Sequence, residues 1–309
     1  MRCLISGADG FLGANLARYL LDKGHTVIGA CLNRKGETSL DALNVRLRLE
    51  YGDTTDRTFV ARLLNAYEID TVYHLAAVSI VRVAERDKER AIRTNVLGTL
   101  AVCEAAEHQG ARVIVASSDK AYGDQGGECY VETMALRPTG AYEVSKACQD
   151  MVARLYGAVV VRAANLYGPA DLHWSRLVPN SCRLALGGIP PAVYGDAATH
   201  EREWLHVEDA CRAYLLLAER GERGQAYNVS SGETATALAI AQMIARLAGA
   251  PSPALVEKAA SYYEIPCQSL DCRRIYRLGW ASERTLAEGL YQTLKWYDRQ
   301  LAGAVGVLA

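Results

Sequence analysis

The chain has no stretch of about 18 uncharged apolar residues, which excludes an ordinary membrane-spanning helix. It has almost no net charge. Its 34 Lys and Arg stand against 35 Asp and Glu, leaving −1, so no global field draws nucleic acid or an anionic membrane and neither is expected as a partner. A local basic pocket for phosphate is compatible with that balance. The nine cysteines include no Cys-x-x-Cys pair and do not cluster with the six histidines, so no metal site is expected and buried thiols in a reducing compartment are the plain reading. The opening Met1-Arg2-Cys3-Leu4-Ile5-Ser6-Gly7 is too short an apolar stretch for a secretory signal and runs into a glycine turn, which agrees with a cytoplasmic location. No internal repeat and no low-complexity tract appear, so solenoid architectures fall away.

What remains is the composition of an ordinary globular protein, half hydrophobic and 22% charged, over 309 residues, enough for one large α/β unit or two closely joined ones. Short β-branched runs at 2–6, 26–31, 71–75, 113–117 and 159–163 alternate with helical patterns at 11–23, 57–67, 91–108 and 142–156. This order predicts an α/β fold, a Rossmann-type doubly wound parallel sheet with right-handed crossovers and ligands outside the carboxyl ends of its strands. After Gly168-Pro169 the pattern loosens, with helices at 177–186, 207–219, 237–248 and 285–301. The expected organisation is a dinucleotide-binding domain over 1–168, joined by parts of 196–232, and a smaller, irregular α/β substrate lobe over most of 169–309.

Gly7-Ala8-Asp9-Gly10-Phe11-Leu12-Gly13 lies between the first strand and an amphipathic helix. Glycine suits this place because a tight turn must bring backbone N–H groups and a helix N-terminus against a pyrophosphate. Gly7, Gly10, Phe11 and Leu12 are therefore candidate coenzyme contacts. The second strand ends at Cys31 where a ribose-binding carboxylate would stand, and Leu32-Asn33-Arg34-Lys35 follows. Arg34 and Lys35 suit a 2′-phosphate, or are simply solvated loop charges, so NAD and NADP both stay open, with Asn33 and Arg34 as candidate contacts. Asp53 is placed near the adenine. Leu75, Ala76 and Ala77, after His74, are small enough to let the backbone pass close to the coenzyme; His74 and His206 have no partner at metal-ligand spacing.

Tyr142 and Lys146, four residues apart at the start of a helix, face the same way. A surface pair would have the same spacing, but Ser118, directly after the strand run 113–117, adds a hydroxyl at the carboxyl edge of the sheet. A glycine-rich first turn, a Ser at a later strand end and a Tyr-x-x-x-Lys helix, in this order, resemble the extended short-chain dehydrogenase/reductase family in its nucleotide-sugar epimerase and dehydratase branch. The resemblance covers nearly the whole chain. It is carried by Gly7, Gly10 and Gly13, by Asp53, by Thr94-Asn95-Val96-Leu97-Gly98-Thr99, by Ser118, Tyr142 and Lys146, by the run from Arg162 to Pro169, and by the run from Arg202 to Asp209.

The resemblance implies that Tyr142 takes a proton from a sugar hydroxyl as hydride leaves its carbon for a tightly bound, recycled NAD or NADP. Lys146 would hold the coenzyme ribose and lower the tyrosine pKa, Ser118 would position the oxygen, and Asn165 and Arg202 would meet the nucleotide diphosphate. Asn95 is either a coenzyme contact or a structural hydrogen-bond hub. A homodimer through the helices at 91–108 and 142–156 is also implied.

Ser118-Asp119-Lys120-Ala121-Tyr122 is similar to the string in CDP-glucose 4,6-dehydratases, whereas simple 4-epimerases carry small or apolar residues after the serine. Dehydration needs an acid for the departing C6 hydroxyl and a base for the C5 proton, and Asp119 and Lys120 are the candidates. Two stretches depart from that pattern. Asp124-Gln125-Gly126-Gly127 resembles an epimerase loop, and Ser261-Tyr262-Tyr263-Glu264-Ile265-Pro266 stands where many relatives carry Arg-Pro-Gly-Asp. The leading expectation is an NAD(P)-dependent NDP-hexose 4,6-dehydratase; the alternatives are an NDP-sugar 4-epimerase and a catalytically silent NAD(P)-binding sensor.

Overall fold

A computed structural model describes residues 1–34, 36–256 and 264–305; Lys35 and residues 261–263, singled out above, lie outside them. Its strands are β1 Arg2–Ser6, β2 Thr26–Cys31, β3 Arg48–Tyr51, β4 Thr71–His74, β5 Arg112–Ala116, β6 Val159–Ala163, β7 Asn165–Tyr167, β8 Ala192–Tyr194, β9 Glu201–His206, β10 Ala226–Val229, β11 Thr234–Thr236, β12 Ala254–Val256 and β13 Cys267–Gln268. Its helices are α1 Phe11–Asp22, α2 Ser39–Ala42, α3 Arg57–Ala66, α4 Val81–Arg86, α5 Lys88–Ile92, α6 Gly98–Gln109, α7 Ala141–Leu155, α8 Leu177–Leu186, α9 Val207–Arg220, α10 Ala237–Ala248, α11 Arg273–Tyr276 and α12 Leu286–Val305.

Successive strand residues point to opposite faces, and here both faces are apolar because helices cover both. From β1, Cys3 and Ile5 pack with Leu16 and Leu20 of α1 and Leu217 of α9, while Leu4 between them packs with Leu63 and Leu64 of α3 and Val102 of α6. Seven parallel strands result, in the order β10-β6-β5-β4-β1-β2-β3. The chain winds outward from β1 in both directions, so the crevice between the carboxyl ends of β1 and β4 is the switch point at which such sheets bind ligands. A third cluster, with Val178, Cys182, Ile240, Ile244, Leu290 and Leu294, builds a smaller body from α8, α10 and α12. Segment β9-α9-β10 crosses back, returning the chain to the edge of the main sheet.

The structure departs from the sequence reading in several places. The helix expected at 91–108 is three pieces, α5, a π-helical turn Arg93–Leu97 and α6, because the turn is bent to bury Asn95. Strand β3 was invisible since Arg48-Leu49-Glu50-Tyr51 is a charged edge strand, and the strands of the smaller body are too short for a two-residue period to register.

Candidate active site

Strand β1 delivers the chain to Gly7, whose φ of 71° belongs to the left-handed region that glycine enters without strain. Its N–H donates to Ala30 O (2.8 Å), and Gly10 N–H returns to Gly7 O (3.1 Å), closing the turn. A Cβ on Gly13 would fall 2.2 Å from Gly7 O, and one on Gly7 would fall 3.0 Å from the Ala76 backbone. The first glycine therefore lets the turn and the loop after β4 pass at backbone contact. That loop is fixed by one hydroxyl. Ser6 Oγ accepts from Leu75 N–H (3.1 Å) and Ala76 N–H (3.2 Å) and lies 2.7 Å from His74 Nδ1. Burial pushes the His74 imidazole down to about 3, so it is neutral and serves this hydrogen bond.

Across the crevice, β5 ends at Ala116 and a short 3₁₀ turn, Asp119–Tyr122, follows. Ser118 Oγ caps this turn by accepting from Lys120 N–H (3.2 Å) and donates to Asp119 Oδ1 (2.8 Å). Asp119 is only 4% exposed, and that burial drives its carboxyl above the usual range; the nearby Lys120 and Arg202 charges and the Ser118 bond offset part of the rise. Lys120 itself is half-buried.

Tyr142 sits in the first turn of α7, and Glu85 of α4 places it there. Glu85 Oε1 accepts from Ala141 N–H (2.6 Å) and Tyr142 N–H (3.4 Å), satisfying two helix-end donors with a carboxylate where the dipole favours one. Ser118, Asp119 and Tyr142 come together: burial first and the Asp119 charge second raise the tyrosine pKa to about 12, and the nearby Ser118 hydroxyl offsets part of that rise. The Arg176 charge also works against this rise. Lys146 is 3% exposed, and its ammonium donates to Ala116 O (2.8 Å) and Gln149 Oε1 (2.8 Å). Burial brings it down to about 7, with Asp150 one turn further offsetting part of the fall.

Asn95 is a hydrogen-bond hub. Its Oδ1 accepts from Val78 N–H (2.8 Å) and its Nδ2 donates to Ser145 Oγ (2.9 Å) and Val78 O (3.3 Å). With both amide donors engaged at zero exposure, it joins the loop after β4 to α7. Asn165 and Arg202 lie on the paired strands β7 and β9, where Asn165 is opposite Trp204. Arg202 Nη1 donates to Glu201 O (2.8 Å) and Pro266 O (3.2 Å), and Nη2 lies 3.3 Å from Glu264 Oε2. His206 caps α9 by accepting from Glu208 N–H (3.3 Å).

The model of the NAD dependent epimerase/dehydratase family matches residues 3–230. The chain belongs to that family. A dTDP-glucose 4,6-dehydratase of Streptomyces griseus is 33% identical over 314 residues, covering 96% of this chain and 94% of the relative. One of Mycobacterium tuberculosis is 31% identical over 312 residues, covering 96% and 93%. Among solved structures, the dTDP-glucose 4,6-dehydratase DesIV of Streptomyces venezuelae, with NAD and TYD bound, superposes with a TM-score of 0.88 at 30% identity over 98% of each chain. A UDP-glucose 4-epimerase of Thermotoga maritima with UDP-glucose gives 0.89 at 26% identity, over 97% of this chain and all of the other. Within the family the chain falls in the extended, nucleotide-sugar epimerase/dehydratase branch, whose members are NAD-dependent enzymes.

The residues present fit the family's coenzyme. Helix α1 begins at the glycine turn with no side-chain cap and no acidic residue in its first turn, leaving the N–H groups of that turn for a pyrophosphate beside Gly7, Gly10, Phe11 and Leu12. At the far end, Cys31, Asn33, Arg34, Arg46 and the carboxylates of Asp9 and Asp41 line a cavity of about 330 Å³. Among the described residues of this lining, the cations of Arg34 and Arg46 stand against the carboxylates of Asp9 and Asp41. Arg34 stacks over the Tyr51 ring (5.4 Å). Asp53 is exposed beyond β3, its carboxylate accepting from Thr55 N–H (2.9 Å).

Several participants escaped the sequence reading. Glu85 and Arg176 come from segments without a motif, and Arg176 bridges Asp171 (3.0 Å) to Ser79 (3.2 Å) beside the crevice. Glu203 is buried, with Oε2 unbonded among the described residues, and its carboxyl is raised by burial and, in smaller part, by Asp119. The run 202–209 was noticed as a family feature, but nothing in it marks Glu203 as buried.

Proposed function

We propose that the enzyme is an NAD(P)-dependent nucleotide-sugar 4,6-dehydratase, a lyase acting on an NDP-hexose through a 4-keto intermediate. The observation that carries this reading is the buried Asp119 carboxyl, hydrogen-bonded to Ser118 beside the Tyr142 oxygen, because a 4-epimerase has no step that needs a second acid there. Bound coenzyme supplies hydride acceptance and return. The chain does the rest. Tyr142 moves the C4 hydroxyl proton, Ser118 orients that oxygen, and the ketone so formed acidifies C5–H. Lys120 removes the C5 proton while Asp119, its pKa raised, protonates the departing C6 hydroxyl as water. Asn165 and Arg202 hold the diphosphate, for which Arg202 exchanges its contact with Glu264. Lys146 and the glycine turn hold the coenzyme.

The likeness to a UDP-glucose 4-epimerase supports the second reading, in which Tyr142 serves C4 alone. Incubation with CDP-, UDP-, GDP- and dTDP-hexoses followed by mass spectrometry separates them: loss of one water supports dehydration, and unchanged mass with inverted stereochemistry supports epimerisation. If Tyr142→Phe alters no activity, the sensor reading stands. We further assign the sheet side to the coenzyme and the α8-α10-α12 body to the substrate. A homodimer follows if a second copy covers the exposed apolar residues Leu97, Met151 and Leu155 beside and along α7. Nine free thiols suit the cytoplasm.

A further inference from the structure

Strand β6 reads Val159, Val160, Val161 and then Arg162, an arginine with no exposed surface in the middle of the fold. Its Nε donates to Asp150 Oδ2 (2.8 Å) and its Nη2 to Asp150 Oδ1 (2.9 Å), a two-pronged grip on α7 one turn beyond Lys146. Its Nη1 donates to the Tyr122 hydroxyl (2.9 Å) and to Glu132 O (3.2 Å), and the guanidinium carbon lies 4.7 Å from the Tyr122 ring centroid. Tyr122 closes the 3₁₀ turn that presents Asp119, and its own hydroxyl donates to Asn228 Oδ1 (2.7 Å) on β10. Asn228 in turn donates to Tyr130 O (2.8 Å) and Asp271 O (3.1 Å).

Stability alone does not call for an ion pair this deep, since apolar side chains of similar volume often replace one at no loss of stability, and three valines precede Arg162 on its strand. What apolar residues cannot do is bind two elements at a fixed spacing. We propose that Arg162 is a positioning residue that sets the turn carrying Ser118 and Asp119 against the helix carrying Tyr142 and Lys146. The inference rests on the proposed reading of those four as working groups. Lysine cannot replace it, because a single ammonium cannot make two parallel bonds to Asp150 and reach the Tyr122 hydroxyl as well.

The test uses the holoenzyme and two variants, Arg162→Lys and the doubly neutral Arg162→Met/Asp150→Asn, which strands no charge. Displacing a reacting group by about 1 Å costs about 100-fold in rate. The double variant is expected to lose about 100-fold in kcat and Arg162→Lys about 10-fold, with KM and coenzyme affinity within about twofold and thermal unfolding still cooperative. Hydrogen exchange of the amides over 117–123 should quicken while those over 144–150 keep their protection. A double variant with wild-type kcat and unchanged exchange over 117–123 overturns the proposal, as does a kcat that falls only with the folded fraction. Should the wild-type enzyme turn over no NDP-hexose, the functional reading fails, and the exchange comparison still decides the role of Arg162.

Discussion

The turn over 117–123 and the first turns of α7 meet at the Tyr142 oxygen, yet they are held by different kinds of contact. At the Ser118–Asp119 end of the turn the polar bonds are local, Ser118 bonding its neighbour Asp119 and the amide two residues on, while Tyr122 at its other end is tied to Arg162 and Asn228. In α7 the bonds that place the working groups come mostly from remote residues. Glu85 caps the helix from 56 residues away, Ala116 takes the Lys146 ammonium from 30 away, and Asn95 reaches Ser145 across 50. A carboxyl held by its own neighbour can change chemistry without unsettling the fold, whereas a helix end held from afar couples reactivity to stability. Burial raises the Asp119 carboxyl pKa and brings the Lys146 ammonium down to about 7, so the same loss of water acts in opposite directions on an acid and an amine.

Substitutions can break that contrast. The largest effect is expected at Tyr142→Phe, where loss of the proton carrier should lower kcat by about 10²–10⁴-fold in steady-state turnover with coenzyme still bound. Next comes Asp119→Asn. Dehydration should fall by about 10²-fold or more, while C4 oxidation persists as a trapped reduced coenzyme visible by absorbance. The raised pKa gives the sign of the pH effect: the acid form prevails below it, so wild-type dehydration declines as pH rises through it, and the asparagine variant loses that limb. Lys120→Ala should leave the same trapped state; full turnover in either variant would hand the enzyme to epimerisation.

The α7 side should answer in stability. Folded Lys146 titrates at about 7 against 10.5 for the free side chain, so the unfolded chain binds the extra proton between those values. Its destabilising effect is full below pH 7 and fades as pH rises toward 10.5. Melting curves of wild type against Lys146→Met should therefore shift in favour of wild type across that window; a constant difference would remove the burial argument. The smallest effect is at Glu85→Ala, where loss of the α7 cap should cost about 1 kcal/mol in denaturant unfolding and lower kcat a few-fold. If it instead matched Asp119→Asn in kcat, the separation of turn from helix would fail.

Much of this was legible in the residues. Strands 2–6, 26–31 and 159–163 and helices 177–186 and 237–248 fall where periodicity put them, because long buried segments carry their face in their pattern. The glycine turn and the Tyr142–Lys146 spacing are likewise local geometry. Asn95 shows the limit. Its motif marked it as noteworthy, but whether an amide faces a ligand or a neighbouring backbone depends on Val78 and Ser145, which only folding brings near. Glu85 and Arg176 lie in no motif and are ordinary charged residues until folding gives them partners, and the run around Glu203 does not tell that its carboxyl is buried.

By itself, then, the order of residues determined the alternating α/β scaffold, the glycine turn against the first helix, and which hydroxyl, phenol and carboxyl groups would stand at the carboxyl edge of the sheet. All of these follow from contacts within a few positions along the chain. Protonation, orientation and spacing were decided only in three dimensions: Arg162 reaches from β6 to both α7 and the 3₁₀ turn, and the crevice strips water from Asp119 and Lys146 together. Dielectric and distance belong to the packed interior, and no local stretch of sequence encodes them.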